Sequence, residues 1–421
     1  MVKKAACTST LLILIAVLAA CINFPSTNTS STPAPEITLT PTAITLTVAT
    51  PPVEATPQTL RIWLPPEFDP AAGTPAGDLL QARLDDFNSR RPDLNVEVRI
   101  KVIDGQASLL NALISAKQTA PSALPDLIAL PASDLETAVL GGLVSPIDGL
   151  TTLLDDPDWF GYARELAHIQ NTVYGLPFAA DALGLLYHPQ PDNPLPTNWE
   201  TLLEENSLLF PADDPQALFS LCLYLSTNNP LQNEEGQLNF AQATLTDLLT
   251  FYQSDFISPG VTQYQNNDQT REAYNTSNIA TVTWATQYLD DMPVDSALIP
   301  VPGLGEESCS LATTWLWALA GSSPDMQPVA VELAEFLSDS EFLATWTAAA
   351  GVLPPRPTAL DAWPENSTKF ALREISRIAH PVPSADVLQT LGPIFRDAAM
   401  SVLQEQASPS EAAQTALERL Q

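Results

Sequence analysis

Positive charge is what this chain has least of for its size. Lys and Arg number 17 against 49 Asp and Glu, a formal charge of −32 over 421 residues. So acidic a surface disfavours nucleic acid and anionic lipid, which are held by basic patches. Only three histidines are present, with no CxxC and no HExxH. The usual zinc arrangements are therefore missing, and we expect neither metal nor cofactor. No Ser-His-Asp pattern stands out. The paired acids at 85–86, 155–156, 213–214 and 290–291 read as solvated faces or caps. Nothing in their spacing singles out the two carboxylates of a glycosidase. Beyond the N-terminus no segment has eighteen uninterrupted apolar residues, so no later membrane span is expected.

Cysteine is nearly as scarce, and two of the four have a reading from position alone. The chain begins MVKKAACTSTLLILIAVLAAC. Lys3 and Lys4 form a positive start, Leu11 to Leu18 an apolar run too short for a permanent span, and Leu18-Ala19-Ala20 a small-residue cleavage site. Leu18-Ala19-Ala20-Cys21 resembles the bacterial lipobox, in which the cysteine is acylated and becomes the new N-terminus. Cys7 would leave with residues 1–20, and Cys21 would take lipid. Removing that segment takes two lysines and no acid, moving the charge from −32 to −34. Cys222 and Cys309 remain. Outside the cytoplasm they are free to form a disulfide, and separate buried thiols are the alternative.

Residues 21–58 have a composition of their own. Residues 22–58 hold ten threonines and seven prolines, without Lys, Arg, Gly or Asp. The prolines block helix and sheet, so this is an extended tether with polyproline character. At ~3.1 Å per residue it reaches roughly 100 Å.

The body alternates strand and helix patterns. In "LRIWL", Leu60, Ile62 and Leu64 share one face and Arg61 and Trp63 the other. Leu80, Leu84 and Phe87 then fall at helical spacing, and Val96, Val98, Ile100 and Val102 alternate with polar residues. Strand, helix and strand within this span predict a parallel βαβ unit. "LPDLIAL" predicts a third, buried strand, with a helix over 133–140. The middle, 197–290, reads as mostly helical, with a capping-box pattern at Thr197-Asn198-Trp199-Glu200. Strand patterns return at 277–285 and 313–321. Helices are predicted from Ser323-Pro324, from Ser340, and from Ser408 as N-cap with Pro409 and Glu411 behind it. About 400 residues exceed one core, so two lobes crossed more than once by the chain are expected.

The order of these motifs, from about residue 59 to 421, resembles the extracellular solute-binding proteins of ABC importers, in the large family that includes maltodextrin-binding protein. The residues that carry it are "PDLIALPASDLETAVLGGLVSPID", "VYGLPFAADALGLLYHP", "LPTNWETLLE", "ALIPVPG", "TWLWALA" and "GVLPPRP". There are departures. His188-Pro189 stands where Asn-Lys or Asn-Arg is usual, "IATVTW" lacks the usual glycine-rich sequence, and aromatics are few for a sugar binder.

The resemblance implies an α/β fold of the type II periplasmic-binding-protein kind, each lobe a mixed sheet flanked by helices. It places one lobe at 59–179 with 316–355 and the other at 180–315 with 356–421. The implied function is capture of a small solute, a carbohydrate first, in the cleft by hinge closure and its delivery to a permease. A polyamine, iron or an organic anion is the alternative solute, and a surface glycosidase the alternative class. The protein would be a lipid-anchored, extracytoplasmic monomer and not an enzyme. Sugar sites join aromatic faces to planar hydrogen-bonding groups. From strand position Trp63 is a candidate, as are Trp315 and Trp317, two apart on one face. By resemblance Ser133 and Asp134 follow the third strand, Asp181 lies at the first crossing, Trp284 and Tyr288 supply a stacking aromatic, and Arg356 points inward. Trp159, Trp199, Trp346 and Trp363 are read as structural.

Overall fold

The computed structural model describes residues 57–189, 196–203, 207–233, 235–277, 279–291, 293, 295–321 and 323–420. The expected signal segment 1–20, the expected lipidation site Cys21 and all but the last two residues of the expected 21–58 tether lie outside the described residues. Strand Gln58–Leu64 opens the body, taking in the last residue of the expected tether.

The predicted βαβ unit is present. Gln58–Leu64 pairs in parallel with Leu94–Ile100 and with Leu127–Pro131. Helix Pro75–Arg90 connects the first two, starting where Thr74 Oγ1 accepts from Gly77 N at 3.1 Å and Pro75 occupies N1. Its Leu80, Leu84 and Phe87 are each 2% exposed, and a buried side chain of this size contributes about 1.5–3 kcal/mol.

Among the described residues nine strands form one mixed sheet. Its main path runs Leu94–Ile100, Gln58–Leu64, Leu127–Pro131, Leu311–Leu319, Gly175–Tyr187, Ile279–Trp284, Ser207–Leu209. His380–Pro381 pairs with Leu311–Leu319, and Ala297–Ile299 with Gly175–Tyr187. The two long strands at the centre are antiparallel to each other. Trp315 pairs with Ala179 and Leu316 with Pro177, so Phe178 is the extra residue of a bulge.

Two apolar cores sit on this sheet, and the long strands pass from one to the other. Leu176, Phe178 and Ala179 belong to the first core, and Ala180, Ala182 and Leu183 to the second. On the neighbouring strand Leu311 and Ala312 lie in the second core and Leu316 to Leu319 in the first. A third segment crosses between Trp346 and Leu353, where Ala180 and Leu353 exchange both backbone hydrogen bonds at 2.7 and 2.9 Å. Phe160, Tyr162 and Ala163 join the second core although they precede the first crossing. The molecule is thus two-lobed, with long strands running through both lobes.

Local signals were read correctly in most places and missed in two. At the C-terminal helix Pro409–Leu420, Glu411 N donates to Ser408 Oγ and Ser408 N to Glu411 Oε2, a reciprocated capping box. At helix Trp199–Leu203 the cap is Asn198, whose Oδ1 accepts from Thr201 N at 2.9 Å, and not Thr197. Helix Gln327–Leu337 begins three residues after Pro324, and Ser323 O, accepting from Met326 N at 2.8 Å and Gln327 N at 3.1 Å, forms the turn that leads into it. Cys222, in helix Leu218–Leu225, is joined by a disulfide to Cys309. No helix among the described residues is long and apolar enough to cross a membrane.

Candidate functional site

Helix Ala132–Leu140 leaves strand Leu127–Pro131 without a loop. Leu135 and Ala138 are fully buried against the first core, and helical spacing puts Ser133, Glu136 and Leu140 on another side. Facing them from the second core is the start of helix Ala385–Leu403, with Val387 and Leu388. Trp284 and Thr313, from the strands near the crossing, also line the space between. Together with Glu165, His168 and His380 these residues enclose a cleft of ≈ 1140 Å³.

One hydrogen bond spans it. Ala385 N, at the first residue of its helix, donates to Glu136 Oε2 at 3.3 Å. Ser384 holds the N-cap position but makes no cap bond, because its Oγ donates to Asp386. A carboxylate from the other lobe thus serves a helix end that its own cap residue leaves open. His168 Nδ1 lies 2.7 Å from Arg164 O. A carbonyl only accepts, so Nδ1 donates this bond.

Trp284 is half-buried and held from two sides. Its backbone N donates to Gln287 Oε1 at 3.2 Å. The following helix, Ala285–Asp290, is fixed by Asp181, whose Oδ1 accepts from Thr286 N at 3.0 Å and Ala182 N at 2.8 Å, and whose Oδ2 accepts from Thr286 Oγ1. Burial pushes the Asp181 carboxyl up to about 6, against these hydrogen bonds, which favour the charged form.

Of the expected site residues, Ser133 and Trp284 line the cleft and the others do not. Trp63 is 3% exposed: both faces of its strand are covered, and Lys101 Nζ sits 4.9 Å from its ring. Trp317 is buried in the first core, stacked on Phe178 at 4.2 Å. Trp315 is half-buried, edge-on to Phe68 at 5.3 Å. Strand alternation places these rings on one face, but that face belongs to the first core by the time the strand reaches them.

Arg356 is 5% exposed and has a partner at each of its three nitrogens. It pairs with Asp156 at 2.9 Å and Asp158 at 3.0 Å, donates to Ser338 O at 3.1 Å, and lies over the Trp159 ring. Asp134 lies beside the cleft-lining Ser133 without lining the cleft itself, and burial, with Asp104 nearby, pushes its carboxyl up. Asp181 acts through the helix that follows Trp284. Tyr288 is buried and lines a different cavity of ≈ 800 Å³, walled by second-lobe residues such as Leu298, Ile299 and Phe370.

Sequence reasoning missed Glu136, Thr313, Glu165, His168 and His380. Two had a signal. Glu136 lies one helical turn after Ser133, and Thr313 two residues before Trp315 on its strand. The helix start at Ala385 had none, since tertiary folding alone carries it to the cleft.

A family model described as bacterial extracellular solute-binding protein matches residues 82–371. Among solved structures, a cyclo/maltodextrin-binding protein complexed with maltotetraose aligns with TM-score 0.70 at 18% identity, covering 87% of this chain and 97% of that one. The sugar-binding protein MalE of Xanthomonas citri aligns with TM-score 0.68 at 19% identity, covering 86% and 96%. MalE of Listeria monocytogenes in complex with maltose aligns with TM-score 0.69 at 15% identity, covering 86% and 97%. A search of curated proteins gives no match. At these identities the structures share the fold.

Proposed function

The chain belongs to the bacterial extracellular solute-binding protein family, and from that premise we propose that it captures a carbohydrate between its lobes and delivers it to an ABC-importer permease. The observation that carries this reading is the ≈ 1140 Å³ cleft between the two cores, with Trp284 in its wall and crossing strands beside it. Ligand contacts to both lobes would favour the closed form by differential affinity, and the three crossings would be the hinges. The Trp284 ring would cover the apolar face of a pyranose, with Ser133, Glu136 and Thr313 meeting hydroxyls. The lobes in this reading divide at the crossings, 59–179 with 316–355 against 180–315 with 356–421. Family membership puts the protein outside the cytoplasm. The lipidated Cys21 and the Thr/Pro-rich tether would hold it at the membrane as a monomer.

A polyamine is the second reading, because carboxylates and an indole line the cleft without Lys or Arg. Titration followed by tryptophan fluorescence separates the two. Mono- and oligosaccharides are compared with spermidine, and with ferric citrate as a control. A saturable change with one sugar, weakened at least about tenfold in Trp284→Ala, supports stacking in the cleft. Response to spermidine or iron alone removes the sugar, and turnover of an oligosaccharide during titration overturns the receptor.

A further inference from the structure

The charged side chains of the cleft wall are of one sign. Among the described residues Glu136 and Glu165 line it, His168 and His380 are its other titratable groups, and neither Lys nor Arg does so. Glu136 is half-buried, and its one hydrogen bond among the described residues is the 3.3 Å contact from Ala385 N across the cleft. Glu165 has no ion pair among the described residues. The neighbouring cation, Arg164, is turned to Asp156 O at 2.7 Å and does not line the wall. A solute entering here loses water between two carboxylates that no cation in the wall neutralises.

We infer that the cleft selects its solute by charge: it prefers a sugar bearing a protonated amine to the neutral sugar of the same size, and it turns away the acidic one. This rests on the cleft being the solute site. A neutral sugar satisfies the carboxylates as a hydroxyl donor. An ammonium does so with charge-assisted bonds. A uronate brings a third anion with no Lys or Arg among the described wall residues to pair it, and enters at a cost in affinity. Glu165 is exposed and therefore screened, so Glu136 carries the larger share and salt narrows the preference.

The test uses the full chain in detergent and three trisaccharides of matched linkage, built of glucosamine, glucose and glucuronic acid. Binding at pH 7 and low salt is read by calorimetry. The expected order is amine, neutral, acid, with the amine about three- to tenfold tighter than the neutral sugar and the acid at least about tenfold weaker. Glu136→Gln with Glu165→Gln should bring all three within about threefold, with thermal unfolding showing the variant folded. Should the double variant fail to fold, Glu165→Gln alone must still narrow the order. An acidic trisaccharide as tight as the neutral one, or an order unchanged by the substitutions, overturns the inference. If no sugar binds but spermidine does, the sugar reading falls and the charge preference stands. If only organic anions bind, both fall.

Discussion

Arg356 and Asp181 are two charges whose roles are decided by what surrounds each one. The guanidinium of Arg356 is enclosed by Asp156, Asp158, Ser338 O and the Trp159 face. Burial pulls Asp158 up, but hydrogen bonds from Thr358 and the Arg356 guanidinium hold it below the usual carboxylate range. Removing one partner of such a pair strands the other. Arg356→Met should therefore lower unfolding free energy by about 2–4 kcal/mol while leaving solute affinity within about twofold; denaturant unfolding and calorimetry read the two separately. A loss of affinity without a loss of stability would return Arg356 to the cleft.

Asp181 behaves oppositely with pH. Its folded carboxyl titrates near 6, against about 3.9 when unfolded. Between those values the folded state holds the extra proton, so this residue's contribution to stability falls as pH rises from about 4 to 6. Asp181→Asn keeps an acceptor for Thr286 N and Ala182 N and cannot ionise. The variant should gain on the natural protein by about 2–3 kcal/mol between pH 4 and pH 7. A pH-independent difference in unfolding free energy would show that Asp181 is not protonated near 6.

At the scale of elements, what could be read depended on whether the determining contact was local. The Ser408–Glu411 capping box and the Leu80, Leu84, Phe87 stripe depend on neighbours three or four residues away, and both were legible. The helix Ala385–Leu403 was not, because the carboxylate at its N-terminus comes from Glu136, 249 residues away. The disulfide lies between. Counting leaves one pairing for Cys222 and Cys309, but only folding brings residues 87 apart to a Cα separation of 5.8 Å. It ties helix Leu218–Leu225 to the loop bridged at Val301. Replacing both cysteines by Ser should cost about 2–4 kcal/mol of stability without shifting the solute midpoint. An unchanged melting temperature under reducing conditions would show the bond unformed or without weight.

At the scale of the molecule, the crossings set the expected motion. Ala180 bonds to Leu353 and pairs with Thr314, so the two long strands and the segment at Leu353 are tied together and, in the proposed closure, would move as one hinge region rather than as loose linkers. Saturating solute should lower the radius of gyration in small-angle scattering by about 1 Å or less for a hinge closure, and Glu136→Ala should raise it in the absence of solute by releasing the contact to Ala385. No solute-dependent change would remove closure from the proposed function. The sequence by itself determined the opening strand-helix-strand order, the Ser408–Glu411 cap, the apolar stripe of Leu80, Leu84 and Phe87 and the acidic charge, because each follows from composition or from residues close along the chain. Which rings face the cleft was decided by tertiary structure alone. Trp315 and Trp317 share a strand face with Thr313, yet the strand passes from one core to the other beneath them. Strand alternation specifies a side, and only the packing of two distant cores decides whether that side is covered or open.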